Sequence, residues 1–439
     1  MAKIGLISLG CPKNLVDSEV MLGHLMLGGH TITKEMAEAE ILIVNTCGFI
    51  KSAKEESIQA ILEAASMKRQ GRCKKLVVAG CLVERHREEL LAEMPEIDAV
   101  AGTREVEQIF EVIEKSERSL AKPPDPLYMY SERSPRLLST HPGTAYIKIS
   151  EGCSHSCAFC AIPSIRGPQR SRPIAGILEE ARRLVDQGVQ ELILVGQDTT
   201  DYGSDIGQPR ALESLVRELG KISGLKWVRI QYAYPNRLSD SLLDAIAQTG
   251  NCCKYFDVPL QHVSPGVLKS MARGGGRAQF IGMLQKIRTR APGAFVRSSF
   301  IVGFPGEDDA AFGELLDFVI EAQFDHLGVF AYSREEGTPA YPLGDTVHWR
   351  TKEKRRRILM QAQQSISRAK NQTMVGRLLE VLVEGAHEES ESILIGRHQG
   401  QAPEIDGSVL IVDGRPELYK INSVLVTEAH AYDLVGVIV

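Results

Sequence analysis

The segment "CSHSCAFC" carries three cysteines, Cys153, Cys157 and Cys160, separated by three and then two residues. Thiolates at these spacings can bind one inorganic centre, but a closed zinc site and a fully ligated four-iron cluster each take four ligands. A four-iron cluster bound here would therefore keep one iron open to a small molecule. The alternative is a structural zinc site completed by His155. It is disfavoured because a histidine between the first two cysteines is poorly placed to close a tetrahedron.

Three further cysteines, Cys11, Cys47 and Cys81, each follow a short apolar run, in "SLGC", "IVNTC" and "VVAGC". In an open α/β sheet the carboxyl ends of the strands line the crevice where ligands bind, so these thiols are predicted to meet as a second metal-binding triad. The alternative is that each thiol is a small buried apolar group, the commonest role of a free cysteine. The remaining cysteines are predicted to be structural or incidental: Cys73, Cys252 and Cys253.

The elements that must position the second triad are predicted in residues 3–115, where apolar runs alternate with amphipathic stretches. This is the pattern of a parallel sheet covered by helices. The strands are predicted in "KIGLISLG", "EILIVNTC", "KKLVVAGC" and "IDAVAG". Five prolines between Pro123 and Pro142 then disfavour regular structure. We predict an N-terminal domain at residues 1–118 and a linker at 119–143.

A second βα series surrounds the segment "CSHSCAFC". Six apolar runs are each followed by a helical pattern: "AYIKIS", "ELILVGQD", "KWVRIQYA", "KYFDVPL", "FVRSSFIVGF" and "HLGVFAY". Six such units predict an open, partial (β/α)6 barrel over residues 144–370. Residues 372–439 change to short alternating strands, which are typical of a small antiparallel β-barrel. The predicted fold class is α/β with this β-module appended.

The composition is that of a globular protein with several domains: 439 residues, 43% hydrophobic and 24% charged. No run approaches the roughly 18 apolar residues of a membrane span, and the N-terminus lacks the apolar stretch of a signal peptide. We therefore expect a cytoplasmic protein without a membrane partner. In that reducing compartment, nine cysteines indicate metal ligands more than disulfides.

The cysteine segment, with Phe159 before its last cysteine, resembles the CxxxCxφC loop of radical S-adenosylmethionine (SAM) enzymes. In that family the loop follows the first barrel strand, and SAM binds the open iron through its amino and carboxylate groups. The resemblance implies a 4Fe-4S cluster on this loop and SAM as the second cofactor. It also implies SAM contacts beside the loop and at later strand ends: Phe159, Gly196, Gln197, Gln261, Ile301 and Gly303.

Over nearly its full length the sequence is similar to the methylthiotransferase family, which has an N-terminal domain with a second cluster and a C-terminal module of the TRAM type. The segments "GCPKNLVDSE" and "IPSIRGPQRSRP" resemble its RimO branch. The resemblance implies an auxiliary 4Fe-4S cluster on Cys11, Cys47 and Cys81. It further implies transfer of a methylthio group to the β-carbon of an aspartate in ribosomal protein uS12, free or on the small subunit. An electron donor such as flavodoxin or ferredoxin is expected.

Two alternative functions stay open. A MiaB-like enzyme would use the same chemistry on an adenosine of tRNA, although the "GCQMN"-like opening typical of that branch is absent here. A non-enzymatic iron–sulfur carrier or RNA-binding adaptor would use the β-module alone and would not cleave SAM. Detection of 5'-deoxyadenosine formed from SAM separates the carrier from both enzymes.

The charge of the C-terminal module bears on the choice of partner. From Thr373 onward there are four Lys and Arg against eleven Asp and Glu, a net charge of −7. Nucleic-acid-binding modules are basic because phosphate contacts supply most of their affinity, so tRNA is a disfavoured partner and a basic protein a favoured one. The alternatives are that the acidic excess only keeps the chain soluble, and that the basic run "RTKEKRRR" binds RNA. We predict that the module lies close to the barrel mouth and docks the ribosomal protein through an acidic set: Glu388, Glu389, Glu391, Glu404 and Asp406.

Overall fold

The computed structural model describes residues 1–114, 128–388 and 390–439, with only the backbone described at residue 391. Residues 119–127 of the predicted linker therefore lie outside the described residues. The chain forms two compact units. The first contains Met1–Ser139, Lys148–Ile177 and Ser333–Tyr341; the second contains Thr140–Ile147, Leu178–Tyr332 and Pro342–Val439.

The first unit is built on a five-stranded sheet in which every pair of neighbouring strands is parallel, in the order β2-β1-β3-β4-β5. Its elements are β1 (Lys3–Ser8), α1 (Pro12–Leu27), β2 (Thr31–Ile32), β3 (Ile41–Thr46), α2 (Lys51–Gln70), β4 (Lys75–Gly80), α3 (Cys81–Glu93), β5 (Ala99–Ala101) and α4 (Ile109–Glu114). The predicted parallel sheet is confirmed. The two-residue edge strand β2 was not predicted, because two residues carry no periodic signal.

Both faces of this sheet are covered, so its central strands are apolar throughout. All six residues of β3 are buried, and Ile61, Ala64 and Ala65 of α2 pack on its side chains with Leu76 and Val78 of β4. Burial on both faces is the usual situation of a parallel sheet. It explains why "ILIVNT" is an uninterrupted apolar run up to its last two residues.

The partial barrel contributes six further parallel strands. Its elements begin with β6 (Thr144–Lys148). The short hairpin strands β7 (Ser150–Glu151) and β8 (Arg170–Ser171), with α5 (Ile162–Arg166) between them, come next in the chain and belong to the first unit. The barrel elements resume with α6 (Ile174–Asp186), β9 (Glu191–Val195), α7 (Ala211–Leu219), β10 (Trp227–Ile230), α8 (Asp240–Gln248), β11 (Tyr255–Asp257), α9 (Pro265–Ser270), α10 (Arg277–Arg290), β12 (Phe295–Val302), α11 (Asp309–Ala322), β13 (His326–Ala331) and α12 (Trp349–Gln372).

The six predicted barrel strands are all present, in two three-stranded sheets ordered β10-β9-β6 and β11-β12-β13. An isolated parallel bridge between Val228 of β10 and Cys252, which precedes β11, links the two sheets. The helix signals are local, as in α11, where the carboxylate of Asp308 accepts from the amide of Ala311 at 2.8 Å and caps the helix. Within the described residues, no helix is both long and apolar enough to cross a membrane.

The C-terminal module is a closed five-stranded barrel in the order β14-β15-β16-β18-β17. Its strands are β14 (Leu378–His387), β15 (Ser390–His398), β16 (Val409–Asp413), β17 (Ile421–Ala429) and β18 (Leu434–Ile438). Four of the pairs are antiparallel as predicted, but β16 and β18 run parallel. The chain crosses from β16 to the far side of β14, and the returning strand β18 closes the barrel in the direction of β16.

The β-module packs against the amino ends of the barrel strands. Arg397 of β15 donates to Glu191 Oε2 at 2.7 Å, and the rings of Phe295 and His398 lie 5.1 Å apart. Glu191 and Phe295 are the first residues of β9 and β12, and His326, the first residue of β13, contacts the carbonyl of Gly400 at 2.7 Å. Because parallel strands all begin at one edge, the module lies opposite their carboxyl ends.

This position corrects the prediction that the module lies close to the barrel mouth, which is formed by the carboxyl ends of the strands. The contact has an apolar centre where Leu382 and Ala402 of the module pack with Trp227 and Tyr255 at the strand starts. The sequence could not predict this contact. The short segment between α12 and the module shows that they are close in the sequence, but not which end of the partial barrel the module contacts.

Candidate functional site

The strand-end triad is formed at the carboxyl edge of the first sheet. Cys11 precedes α1, Cys47 follows β3 directly, and Cys81 begins α3 directly after β4. The amides of Asn14 and Leu15 donate to the carbonyl of Cys11 at 2.9 and 3.1 Å, so Cys11 is the N-terminal cap of its helix. These placements agree with the predicted strand ends.

The three thiols are neighbours in space. A side chain at Gly10, whose φ is +91°, would meet Cys47 Cβ at 2.8 Å, and one at Gly48 would meet the carbonyl carbon of Cys81 at 2.8 Å. Glycine at position 10 is therefore required both by its backbone conformation and by the close approach of Cys47. The structure places Cys11, Cys47 and Cys81 close to one another at this edge of the sheet, although 36 and 34 residues separate them in the sequence.

The electrostatic environment differs among these thiols. Burial raises the pKa of Cys47 to about 11, and the neighbouring Cys81 and Cys11 add to this effect. Burial also raises the pKa of Cys81, against the charge of Arg166. At Cys11 the effect of burial is outweighed by the charges of Lys13 and Arg166 and by backbone amides, so its pKa is lowered. Bound iron would favour the thiolate at all three positions.

The loop triad lies between β7 and α5 in the same unit. The amide of Cys153 donates to the carbonyl of Gly167 at 3.0 Å, and the amide of Cys160 donates to the carbonyl of Cys157 at 3.1 Å. The chain enters the loop at Gly152, where φ is +76° and a side chain would meet the carbonyl oxygen of Pro168 at 2.1 Å. The pairing of β7 with β8 and the tight turn at Gly152 thus position the cysteine loop, which has little regular structure of its own.

The cysteines fit the cofactors that the sequence predicts. None of the nine, all within the described residues, forms a disulfide, and the loop cysteines are half-buried. Cys81 packs with Ala161 and Ile165, which follow the loop in the sequence, and its sulfur also accepts a hydrogen bond from Arg166 at 3.5 Å. The other cysteines are buried and belong to the cores: Cys73, Cys252 and Cys253.

The predicted SAM contacts lie at the carboxyl ends of strands in the second unit, except Phe159, which lies half-buried within the cysteine loop of the first. Gly196 and Gln197 directly follow β9. Gln261 bridges to β12, where its carbonyl accepts from the amide of Ile301 at 2.8 Å. Gly303, just after β12, donates its amide to the carboxylate of Glu307.

The structure places the residues of the predicted acidic docking set in different environments. Asp406 is wrong as a surface residue, because its side chain is 0% exposed and accepts from Tyr255 Oη at 2.7 Å, Arg297 Nη1 at 2.8 Å and the amide of Ala402 at 2.9 Å. Burial alone would raise the pKa of Asp406, but His326 and Arg297 outweigh it and lower the pKa. Asp406 therefore anchors the module to the barrel.

For the other acidic residues, the role in docking the ribosomal protein stays a prediction. Glu404 and Glu388 are exposed, and Glu388 lies in the turn after β14, at the end of that hairpin remote from His398. Glu389 lies outside the described residues, and the side chain of Glu391 is not described. Glu388 therefore lies away from the partial barrel, whereas Asp406 lies against it.

Sequence reasoning missed a group of buried charges beside the two triads: Asp17 on α1, Lys148 at the end of β6, Glu151 in β7 and Arg166 at the end of α5. Two signals were present. Asp17 and Arg166 lie within the segments "GCPKNLVDSE" and "IPSIRGPQRSRP". Lys148 interrupts an otherwise apolar strand, and a charge in such a place is retained only with a partner.

Relatives of the chain extend over its whole length. A protein of Desulforamulus reducens named ribosomal protein uS12 methylthiotransferase RimO is 50% identical over 441 residues, covering 99% of each chain. Its namesakes from Anaeromyxobacter sp. strain K and Geotalea uraniireducens are 50% and 48% identical, covering 98% and 100% of this chain and 92% and 98% of theirs.

Solved structures share the fold at low identity. The radical SAM methyltransferase TsrM from Kitasatospora setae, with cobalamin and a [4Fe-4S] cluster bound, aligns with a TM-score of 0.58 at 15% identity over 77% of each chain. The cobalamin-dependent radical SAM enzyme OxsB aligns with a TM-score of 0.52 at 10% identity, over 82% of this chain and 56% of its own.

Three family descriptions match successive parts of the sequence. Residues 3–102 match the uncharacterized protein family UPF0004, residues 147–319 match the radical SAM superfamily, and residues 375–439 match the TRAM domain. Together with relatives that are about half identical from end to end, these matches establish the family. The chain belongs to the RimO family of radical SAM methylthiotransferases.

Proposed function

We propose that the chain transfers a methylthio group to the β-carbon of an aspartate in ribosomal protein uS12, the substrate for which its RimO relatives are named. The observation that carries this proposal is the pairing of full-length likeness with two separate cysteine triads in one compact unit. A carrier or adaptor has no use for SAM, which the radical SAM loop is expected to bind. A radical SAM transferase needs it.

The cofactors are an iron–sulfur cluster and SAM, as in the radical SAM superfamily. In the proposed arrangement there are two 4Fe-4S clusters, one held by Cys153, Cys157 and Cys160 and the other by Cys11, Cys47 and Cys81. Bound there, the clusters and SAM would supply the one-electron chemistry that removes hydrogen from an unactivated carbon, and the sulfur and methyl group that replace it. Side chains alone offer no acid or base able to deprotonate such a carbon.

The chain itself would position these groups through three regions. The N-terminal domain, residues 1–118, would hold the auxiliary cluster, and the core, residues 144–370, would hold the loop cluster and SAM. We assign SAM binding to the carboxyl ends of β9, β11 and β12, beside Gly196, Gln197, Gln261, Ile301 and Gly303, with Phe159 on the loop. The module, residues 372–439, would recognise the basic substrate, and a flavodoxin or ferredoxin would supply electrons.

A comparison of cells with and without this gene tests the proposed substrate. The mass of uS12 should increase by one methylthio group only where the gene is present, and the methylthio-adenosine content of tRNA should not change. A change in tRNA with unmodified uS12 would overturn the proposal in favour of the MiaB-like function.

A further inference from the structure

The side chain of Arg166 is fully buried and contacts the segments that carry Cys81 and Cys11. Its side chain is 1% exposed, and Nη2 donates to Cys81 Sγ at 3.5 Å. The same nitrogen lies 3.5 Å from Asn14 Oδ1, three residues after Cys11. Arg166 itself lies six residues after Cys160, at the end of α5.

Two carboxylates hold this guanidinium in place. Nη1 donates to Asp17 Oδ2 and to Glu151 Oε1, each at 3.0 Å. Lys148 Nζ donates to Glu151 Oε2 at 2.5 Å and also to the second oxygen of Asp17. Two cations and two anions, each at most 7% exposed, therefore form a closed and electrically balanced group.

The arrangement suits arginine in particular. A guanidinium is a rigid, permanently charged fork that can bind several partners at once, whereas an ammonium is a point charge on a flexible stem. Nη1 binds the carboxylates and leaves Nη2 directed at the sulfur of Cys81. A buried hydrogen bond or positive charge at a cluster thiolate favours the reduced, more negative cluster.

We propose that Arg166 is a positioning residue that sets the reduction potential of the group bound by Cys11, Cys47 and Cys81 through its hydrogen bond to Cys81. This inference rests on the proposed auxiliary cluster. Asp17 and Glu151 act through Arg166: they fix its orientation and partly balance its charge. The buried charges thereby couple the loop that holds the first cluster to the potential of the second.

The test uses the full chain with Cys153, Cys157 and Cys160 replaced by alanine, so that the auxiliary triad alone can hold a reconstituted cluster. Arg166→Met, Arg166→Lys and Asp17→Asn are introduced into this background. Arg229→Met is the matched control, because Arg229 is equally buried, 0% exposed, and paired with Glu191 at 2.7 Å but lies in the other unit. The readouts are iron content, the midpoint potential and the EPR spectrum of the reduced cluster.

Arg166→Met should make one-electron reduction of the cluster at least tenfold less favourable. This corresponds to a negative shift of about 59 mV in its midpoint potential. Arg166→Lys should shift the potential less, and Asp17→Asn should shift it in the opposite direction because it removes a negative charge. Arg229→Met should leave the potential unchanged. If Arg166→Met does not fold, the opposite signs of Arg166→Lys and Asp17→Asn carry the test.

Three results would overturn the inference, and they can be told apart. A background variant that binds no iron refutes the auxiliary cluster, and with it the role of Arg166. A variant that binds iron normally but keeps its potential and EPR spectrum after Arg166→Met or Arg166→Lys refutes the role of Arg166 alone. Equal shifts in Arg229→Met would show that any buried arginine has the same effect, and would also overturn it.

Discussion

The two cysteine triads are assembled in different ways. Cys153, Cys157 and Cys160 lie in one loop, where a backbone hydrogen bond joins Cys160 to Cys157 and another joins Cys153 to Gly167. Cys11, Cys47 and Cys81 come from three strand ends and meet only because β1, β3 and β4 are parallel neighbours in one sheet. The first triad depends on local conformation and the second on the folded sheet.

This difference determines what a sequence can reveal. A local triad is visible as a motif, and its spacing alone suggests an open metal site. A strand-end triad is visible only to an argument about topology, since its residue spacing has no meaning outside the sheet. Each triad is nevertheless entered through a glycine with positive φ, Gly152 or Gly10, where the backbone or a cysteine approaches too closely for a side chain.

The largest expected effect is on the loop triad. Replacement of Cys153, Cys157 and Cys160 by alanine should reduce SAM cleavage to background, because the iron that binds SAM is lost. Formation of 5'-deoxyadenosine by the reduced, reconstituted protein is the measurement. Cys73→Ala, a buried cysteine outside both triads, should cleave SAM normally; cleavage by the triple variant would contradict the assignment.

A substitution in the strand-end triad should separate SAM cleavage from methylthiolation. Cys47→Ala should still cleave SAM but should lower methylthiolation of uS12 to background, because the proposed sulfur-bearing group is not held. Both products are measured in the same assay by mass spectrometry. Methylthiolation at the normal rate would show that this triad is only structural.

A smaller effect is expected in the thiol chemistry of the cluster-free protein. The pKa of Cys11 is lowered and that of Cys47 is raised to about 11, while both are half-buried. Since the thiolate is the nucleophile, iodoacetamide at pH 8 should modify Cys11 about tenfold faster than Cys47. Modification of Cys47 should keep accelerating as the pH rises toward 11; equal rates for the two at pH 8 would contradict this account.

The smallest effect is expected for the acidic residues 388, 389 and 391 of the β-module. Reversal of Glu388, Glu389 and Glu391 to lysine should weaken uS12 binding by about two- to threefold at low salt, since exposed charges act mainly on association and are screened. Glu404→Lys should act in the same direction. Substrate affinity at low and high salt is the measurement, with SAM cleavage without substrate as the control. Unchanged affinity at low salt would remove the module from substrate recognition.

The sequence predicted the fold well because strands and helices have periodic local signals. "ILIVNT" and "TAYIK" became buried parallel strands, and "SVLVTEAHAYDLVGVIV" became two barrel strands. The position of the β-module and the burial of Asp406 could not be predicted, because both depend on which edge of the barrel the module contacts. The group around Arg166 was missed for the same reason: its four charges come from separate segments, and only the folded chain pairs them.

The central claim, that two triads hold two clusters independently, is tested most directly by iron and sulfide analysis after anaerobic reconstitution. The unaltered chain should bind about eight irons, and replacement of either triad by alanine should leave about four. Cys73→Ala should retain the full complement. If the variant without Cys11, Cys47 and Cys81 binds as much iron as the unaltered chain, the strand-end triad holds no cluster and the account is wrong.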